Sequence, residues 1–301
     1  FPIDKVLTGL FAIVQRLYGI EIRELSGFDT WHPDVRLFEI SEQGKHVGRF
    51  FFDLYARANK RGGAWMDGAR DQRRSASGEL INPVANLVCN FTPAVNGQPA
   101  LLTHDEVTTL FHEFGHGLHH LLTRVEHASV SGINGVAWDA VELPSQFMGN
   151  WCWEPEGLAL ISAHFESGEP LPAELLEKML AAKNFQSGLM MMRQLEFSLF
   201  DFELHATHGD GRSVLQVVEA IRNEVAVLRP PAYNRFANGF AHIFAGGYAA
   251  GYYSYKWAEV LSADAFSKFE EEGVLNAETG RAFREAILAR GGSQKPMLLF
   301  V

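Results

Sequence analysis

The sequence predicts a mainly helical domain with a small antiparallel β-sheet, and two kinds of apolar spacing support this prediction. Segments whose apolar residues stand three and four positions apart, as on a buried helix face, are 3–18, 103–124, 143–165, 172–206, 213–226, 246–271 and 277–289. Between residues 37 and 91 the hydrophobic runs are short and rich in Val, Ile and Phe, which is typical of strands. No linker or internal repeat divides the chain, so residues 1–301 are expected to form one domain.

A β-hairpin is predicted from two of these runs, 37–41 and 47–52, which flank the residues Glu-Gln-Gly-Lys at 42–45. Because polar residues and a glycine fill this gap, we expect a loop of four or five residues. The run at 85–91 predicts a third strand, shortly before the second helix. These strands form the predicted sheet, next to the helix that carries the most informative motif of the chain.

That second predicted helix has a clear beginning and carries a pair of histidines. Thr103 and Glu106 stand at the positions of a capping box, in which each side chain satisfies a backbone N–H at the helix start. His112 and His116 are four residues apart, so they lie on one helix face and can bind the same tetrahedral metal ion. Glu113, beside the first histidine, flanks that ion without binding it.

This spacing is typical of zinc hydrolases, in which the metal lowers the pKa of its water from about 15.7 to about 7 and the glutamate takes the proton. A third ligand is expected downstream, and Glu142, 26 residues after His116, is the candidate. Asp139 lies one turn before Glu142 and is placed to accept the free ring N–H of a metal-bound histidine. Without further context, the histidines also fit an ordinary amphipathic helix, and Glu142 also fits a solvated helix position.

A second group of candidate residues lies at 240–255. Tyr248, Tyr252 and Tyr255 are spaced so that a helix beginning near Gly246 and Gly247 would place three phenols on one face. With an unperturbed pKa of about 10, these hydroxyls stay protonated and can donate to the oxyanion that forms when water attacks a peptide carbonyl. From the residues alone, an aromatic stripe packed in the core explains the same spacing.

Two stretches, HEFGHGLHH and SGINGVAWDAVELPSQFMGNWCWEPEGL, together resemble the M3 family of zinc oligopeptidases, also called the thimet oligopeptidase family. The positions that match the family pattern are His112, Glu113, His116, Gly132, Asp139, Glu142, Pro144, Ser145 and Gln146. The similarity runs along nearly the whole chain, from FPIDKVLTGLF at the start to ARGGSQKPMLLF near the end. No predicted metal ligand or base departs from the pattern.

The resemblance implies a zincin-type metallopeptidase domain that hydrolyses internal bonds of short peptides. The roles it assigns are one Zn²⁺ per chain on His112, His116 and Glu142, a general base at Glu113, a second-shell partner at Asp139, and substrate and oxyanion contacts at His242, Tyr248 and Tyr255. Tyr252, Gly246 and Gly247 are weaker candidates for substrate contact, since the glycines would permit a close backbone approach or a hinge. The strand at 85–91 either pairs with an extended peptide at the sheet edge or lies in the interior.

Members of this family are longer than this chain, which therefore resembles a catalytic part without its N-terminal helical region and its short C-terminal tail. We expect a monomer that packs against its own N-terminal region. A dipeptidyl carboxypeptidase of the same family would share every residue named and add a group that binds the substrate's C-terminal carboxylate, but no basic residue identifies itself as that group. A non-catalytic peptide-binding module and a zinc hydrolase of non-peptide amides remain alternatives.

Composition narrows the class of protein further. The net charge of −10 and the pI of about 5.6 argue against a nucleic-acid partner, which would favour a basic face. No signal peptide and no apolar run of membrane-spanning length is visible. Cys89 and Cys152 are too few for a disulfide framework and are expected to be reduced core thiols, which fits a cytoplasmic protein. His119 and His120 continue the same helix and are expected to have second-shell or packing roles, not to bind the metal.

Overall fold

The computed structural model describes residues 1–95 and 97–300. Its α-helices are α1 (Ile3–Tyr18), α2 (His104–Leu121), α3 (Trp138–Val141), α4 (Leu143–Gly149), α5 (Pro155–Ile161), α6 (Ala173–Ala182), α7 (Ser187–Ala206), α8 (Val214–Val225), α9 (Phe236–Gly239), α10 (Ala241–Ala245), α11 (Ser254–Glu272), α12 (Ala277–Ala286) and α13 (Pro296–Phe300). Its strands are β1 (Glu21–Leu25), β2 (Arg36–Glu42), β3 (Lys45–Tyr55), β4 (Trp65–Arg70), β5 (Arg73–Arg74), β6 (Leu80–Ile81) and β7 (Val84–Phe91). Short 3₁₀ helices are Ala128–Val130, Asn150–Cys152 and Leu288–Arg290. Helices predominate, so the predicted mainly helical class is confirmed.

The main sheet has the strand order β1-β2-β3-β7-β4. Its neighbours are antiparallel except for β3 and β7, which are parallel. The predicted antiparallel character is wrong for this pair, because the long segment 56–83 crosses over before β7 begins and so allows a parallel pairing. Strands β5 and β6 form a separate two-stranded ribbon.

The strand predicted at 85–91 lies in the interior of this sheet. It is part of β7, which pairs with β3 on one side and β4 on the other, so it offers no free edge to a peptide. The edge strand beside α2 is β4, where a Cβ added at Gly68 would lie 2.9 Å from the His120 ring. Strand β4 is not predictable from its residues, because Asp67, Gly68 and Arg70 weaken its strand pattern.

Strands β2 and β3 form the predicted hairpin, but their connection is shorter than expected. Glu42 pairs directly with Lys45, which leaves Gln43 and Gly44 as a two-residue turn. Both residues have positive φ, 51° and 74°. This is the backbone geometry of the two-residue turn that matches the twist of the flanking strands.

Two of the predicted helices are interrupted. The segment 143–165 divides before Pro155, because a proline lacks a backbone N–H and favours an extended residue before it; Glu154 has ψ of 134°. The segment 172–206 divides at Gln186, whose φ of 55° lies outside the right-handed helical region. The sequence therefore predicts that both segments are helical, but the positions at which the helices are interrupted depend on single residues.

Two groups of buried side chains stabilise the fold. The larger lies between α1, α2, α4 and the main sheet, and it includes four phenylalanines whose neighbouring ring centroids are 5.0–5.9 Å apart: Phe38, Phe50, Phe52 and Phe114. Burying each such ring stabilises the fold by roughly 2 kcal/mol, so together they hold α2 firmly on the sheet. The smaller group joins α7, α8 and the 240–255 segment through Phe200, Phe240 and Tyr252.

The residues expected in the core are there. Cys89 and Cys152 are buried and form no disulfide, which confirms the prediction of free core thiols. His119 and His120 are also buried, on the side of α2 that faces the interior. None of the described helices is long and apolar enough to cross a membrane.

Candidate active site

Helix α2 presents the two histidines as the sequence predicts. The capping box is formed: the Thr103 hydroxyl accepts a hydrogen bond from the Glu106 backbone N–H, and the Glu106 carboxylate accepts one from the Thr103 N–H at 2.8 Å. This fixes the start of the helix. The rings of His112 and His116 then lie one turn apart, with centroids separated by 5.1 Å.

Glu142 reaches this pair from the junction of α3 and α4. Its Oε2 lies 3.2 Å from Nε2 of His112 and 3.2 Å from Nε2 of His116. In a tetrahedral site with bonds of about 2.0–2.1 Å, neighbouring ligand atoms are about 3.3 Å apart. The donor atoms of the three residues all lie within 4.8 Å of one another. The geometry and the two-nitrogen, one-oxygen donor set therefore fit a zinc ion.

The close approach of α4 to α2 depends on Gly115. A Cβ at this position would lie 2.4 Å from the Pro144 carbonyl oxygen and 2.6 Å from Cα of Ser145. Any larger residue would push α4 away. Gly115 thus allows Glu142 to come within reach of both histidines.

Glu142 is held by hydrogen bonds on both of its oxygens. Ser145 donates to Oε2 at 2.9 Å, and the Tyr248 hydroxyl donates to Oε1. Burial alone would raise the pKa of this carboxyl, but His116 and His112 outweigh it and hold the pKa well below its usual range. The carboxylate is therefore ionised and fixed in one orientation.

Glu113 follows His112 on α2 and lines one cavity with both histidines and Glu142. Its side chain is buried, and its Oε2 has no hydrogen-bond partner among the described residues. Burial raises its pKa to about 7, with His112 acting in the opposite direction and Glu142 adding to the rise. A buried carboxylate with an open oxygen beside a metal site is suited to accept a proton.

The tyrosine segment, residues 246–255, does not form the continuous helix that the spacing of its tyrosines suggests. Helix α11 begins only at Ser254, because the preceding residues are in turns and Gly247 and Ala250 have positive φ, 88° and 56°. The predicted start of a helix near residue 246 is therefore wrong. Even so, tertiary contacts bring the phenols together: Tyr248 stacks on Tyr255 with centroids 5.0 Å apart.

These phenols line the cavity together with His242. The His242 ring centroid is 6.1 Å from that of Tyr248 and 6.0 Å from that of Tyr255. Burial and the Glu142 charge raise the pKa of both tyrosines, so their hydroxyls are protonated donors. Burial lowers the pKa of His242, while Glu142 opposes the change.

The weaker candidates for substrate contact differ in their placement. Tyr252 is buried, and its hydroxyl donates to Gln194 on α7 at 3.2 Å, so most of the ring packs in the smaller core. Gly246 lines the cavity. Gly247 combines its positive φ with close packing, since an added Cβ would lie 2.9 Å from the Trp138 ring. Substrate contact by these residues stays a prediction.

Asp139 is not seen in its predicted role. No hydrogen bond joins it to His112 or His116 within the part of the chain that is described, and it lines a different, largely apolar cavity together with His119. Neither ring nitrogen of His119 has a partner among the described residues, and burial lowers its pKa to about 3. His119 is thus neutral, and the second-shell role of Asp139 stays a prediction.

The cavity above the three converging residues has a volume of about 610 Å³. The start of β4, helices α2 and α3, and the segment 241–255 form its walls. This size is typical of pockets that bind small organic ligands or a few residues of a peptide.

Comparison with known proteins places this chain in a family. A sequence model described as Peptidase family M3 matches residues 1–301. The chain belongs to peptidase family M3. Oligopeptidase A of Escherichia coli strain K12 is 62% identical over the whole of this chain, which spans 45% of that relative. Dipeptidyl carboxypeptidase of the same strain is 39% identical over 98% of this chain, corresponding to 43% of that relative.

The structures agree with the M3 assignment at the level of the fold. A solved structure of PZ peptidase A with inhibitor 2 matches 82% of this chain and 38% of its own, with a TM-score of 0.52 and 17% identity. This M3 chain thus spans less than half the length of the relatives it matches. The predicted family and fold class are both confirmed.

Two residues next to Glu142 have roles that the sequence pattern does not assign. Ser145 and Gln146 were seen only as matches to the family pattern, yet Ser145 orients Glu142, and Gln146 donates from Nε2 to the Tyr255 carbonyl at 2.7 Å. The signal for Ser145 was its position three residues after Glu142, within reach on a helical turn.

Asp201 on α7 was missed entirely. It is fully buried and accepts hydrogen bonds from the backbone N–H groups of Ala250 at 2.8 Å and Tyr252 at 2.9 Å. His205 also lies 3.0 Å from it. Asp201 therefore holds the tyrosine segment from behind, and no local pattern connects residues about fifty positions apart.

Proposed function

We propose that this chain is the catalytic part of a zinc-dependent endopeptidase that hydrolyses internal bonds of short oligopeptides. The observation that carries the proposal is the convergence of His112, His116 and Glu142 on one point, with Glu113 buried beside them. Membership of peptidase family M3 supports the reaction class. Because the chain spans less than half of its relatives, activity and substrates are proposals for it.

We assign one Zn²⁺ per chain to His112, His116 and Glu142. When bound, zinc supplies an acidified water and a Lewis acid that polarises the substrate carbonyl. Ser145 and Tyr248 keep the Glu142 carboxylate turned towards the histidines. Such supporting hydrogen bonds raise metal affinity because the ligand loses less freedom on binding.

Glu113 is the proposed general base. Its open oxygen accepts the proton of the attacking water and later gives it to the leaving amine, so no covalent intermediate with the chain is needed. The protonated Tyr255, with His242, donates to the oxygen that becomes negative during the attack. Tyr248 donates to Glu142 in this structure, so we assign it to that carboxylate first and to the substrate only after it turns.

The edge of β4 is the proposed docking strand for the peptide main chain. Trp65 and Met66 line the cavity, and among the described residues no strand pairs with the outer side of β4. An extended peptide added there would bond through its backbone, which allows many sequences to bind. We therefore propose edge addition at β4 and not at β7, which pairs with a strand on each side.

The experiment that tests this function is hydrolysis of a quenched fluorescent peptide of about eight residues by the zinc-loaded chain. Glu113→Gln is expected to lower kcat by at least a hundredfold while zinc content stays at one equivalent, since the base is lost and the ligands remain. Glu285→Gln, at an exposed position on α12, is the matched control and keeps full activity. A chelator abolishes cleavage.

Two results would count against the proposal. Absence of stoichiometric zinc in folded protein would remove the metal site, and unchanged hydrolysis by Glu113→Gln would remove the base. Zinc at one equivalent without cleavage would mean that the site needs the rest of a longer protein.

The second candidate is a dipeptidyl carboxypeptidase, favoured by the 39% identity to an enzyme of that name. It uses the same residues, so product masses separate the two: dipeptides released only from the C-terminus indicate the second activity. A non-catalytic binding module would not need a base such as Glu113 beside the metal. A hydrolase of simple amides would not need a strand edge that binds a peptide main chain. Monomeric state, packing against an N-terminal region and a cytoplasmic location stay predictions.

A further inference from the structure

Arg61 stands out among the side chains that line the active-site cavity. It is the only lysine or arginine in that lining among the described residues, and its side chain is exposed. The metal ligands and Glu113 share the same cavity. Arg61 therefore offers a positive charge to any ligand that enters this cavity.

The backbone around Arg61 is held in place. Asn90 on β7 donates from its side-chain amide to the Arg61 carbonyl at 2.8 Å and to the Gly63 carbonyl at 2.7 Å. The guanidinium carbon lies 5.4 Å from the centre of the Trp65 ring, within the range of a cation–π contact. Arg61 therefore has a fixed place in the loop just before β4, although its side chain is exposed.

Arg61 also differs from its cationic neighbours, which are paired with carboxylates. Arg57 and Lys60 both pair with Asp53, and Lys256, in the adjoining cavity, pairs with Glu259. No carboxylate lies within 4.0 Å of Arg61 among the described residues. Its guanidinium keeps its donors for a ligand.

The direction of β4 indicates which part of a peptide would meet Arg61. The strand runs from Trp65 to Arg70, and its neighbour β7 is antiparallel to it. A peptide that adds to the open edge in the same antiparallel sense, the commoner pairing, runs towards Trp65 with its C-terminal end. The C-terminal part of the substrate would then lie beside Arg61.

We propose that Arg61 binds a substrate carboxylate on the C-terminal side of the cleaved bond. This rests on the proposed peptidase function. The carboxylate comes from the free C-terminus of the peptide or from an Asp or Glu side chain there; both present the same pair of oxygens to the guanidinium fork. By fixing this group, Arg61 sets which peptide bond lies over the metal ligands.

The test uses four peptides of about eight residues with one shared cleavage site. Two differ only in a free or amidated C-terminus, and two differ only in Glu or Gln at the second position after the cleaved bond. Arg61→Gln is expected to raise KM about tenfold for the peptide with the recognised carboxylate, while its neutral counterpart changes less than about twofold. The KM of Arg61→Lys for the recognised peptide is expected to lie between those of wild type and Arg61→Gln, because lysine keeps the charge but lacks the forked pair of donors.

Arg281→Gln, at an exposed position on α12, is the control and leaves all four KM values unchanged. The same peptides are titrated calorimetrically into zinc-loaded Glu113→Gln chain, with and without Arg61→Gln, so that binding is measured without turnover. If Arg61→Gln weakens only the peptide with a free C-terminus relative to its amidated counterpart, Arg61 binds the C-terminal carboxylate. If it weakens only the Glu peptide relative to the Gln peptide, Arg61 binds a side-chain carboxylate.

Equal weakening of all four peptides by Arg61→Gln overturns the proposal, since the residue would then contribute only to packing. Failure of every peptide to bind the zinc-loaded chain overturns it as well. Failure of the proposed function has a different signature: peptides bind with the carboxylate dependence described, yet wild type does not cleave them.

Discussion

Gly115 shows how a single atom can decide the geometry of the metal site. The approach of α4 to α2 leaves no room for a side chain there, with backbone atoms 2.4 and 2.6 Å from an added Cβ. A methyl group would force α4 outward and carry Glu142 away from His112 and His116. The contribution of Gly115 is therefore steric, although it stands between chemically active residues.

Gly115→Ala is expected to weaken zinc binding by at least tenfold and to destabilise the fold by about 2 kcal/mol through overpacking. Zinc affinity is measured by competition with a chromogenic chelator, and stability by urea unfolding. Gly188→Ala on α7 is the control: no atom of the described residues lies within 4 Å of its added Cβ, so alanine raises stability by about 0.5 kcal/mol. Equal zinc affinity of Gly115→Ala and wild type would refute the steric role.

Ser145 acts on the same ligand by hydrogen bonding. Ser145→Ala removes the 2.9 Å bond to Glu142 and is expected to weaken zinc binding by about tenfold, since the carboxylate becomes less well oriented. The same chelator competition measures the change. Ser267→Ala, whose hydroxyl donates to the Asp264 carbonyl on α11, serves as control and keeps wild-type affinity. A zinc affinity indistinguishable from the control would show that Tyr248 alone suffices to orient Glu142.

At the scale of elements, α7 supports the tyrosine segment. Asp201 accepts two backbone N–H groups that a helix through residues 246–253 would have used, and this explains why that helix does not form. The same contacts hold Ala250 at a φ of 56°. The positions of Tyr248 and Tyr255 over the proposed metal ligands thus depend on an element far away in sequence.

Asp201→Asn replaces one accepting oxygen by an amide that cannot accept. We expect kcat/KM for peptide cleavage to fall about tenfold, mainly through kcat, with zinc content unchanged, because Tyr255 is displaced from the oxyanion while the ligands stay. Asp264→Asn on α11, whose carboxylate is exposed and makes no described bond, is the control. Loss of zinc in Asp201→Asn, or a loss of stability without a change in kcat, would contradict a positioning role.

At the scale of the whole molecule, one ion cluster ties the sheet to the loop that leads towards Arg61. Burial alone would raise the pKa of Asp53, but hydrogen bonds from Arg57, Trp31 and Lys60 outweigh it and hold the pKa well below its usual range. A carboxyl whose pKa is lower in the folded protein than in the unfolded chain stabilises the fold at pH values above its ordinary pKa of about 4. This contribution is lost progressively as the pH falls below that value towards the lower pKa of the folded protein.

Asp53→Asn should therefore destabilise the protein by about 3 kcal/mol at pH 7, where the variant leaves Lys60 and Arg57 without their partner. Urea unfolding at pH 7 and at about pH 3 checks the sign: the difference between variant and wild type shrinks at the lower pH. Asp29→Asn, at an exposed position, shows no such dependence. A difference that grows on acidification would rule out the depressed pKa.

Prediction from sequence succeeded where the information was local. The capping box at Thr103, the spacing of His112 and His116, and the hairpin strands need only near neighbours, and each is present in the structure. It failed where a distant partner overrides local pattern. The helix expected over 246–271 begins only at Ser254, because Asp201 binds backbone N–H groups of the preceding residues. Strand β4 forms because its backbone pairs with β7.

The sequence by itself determined the candidate donor set, the candidate base and the family, because these depend on which residue types stand at which spacing. Only the tertiary structure decided that Glu142 meets the histidines through the gap at Gly115, that the open sheet edge is β4, and that Arg61 enters the cavity. The reason is physical: helix periodicity is a property of neighbouring residues, whereas close approach and ion pairing join residues that the chain brings together only when it packs.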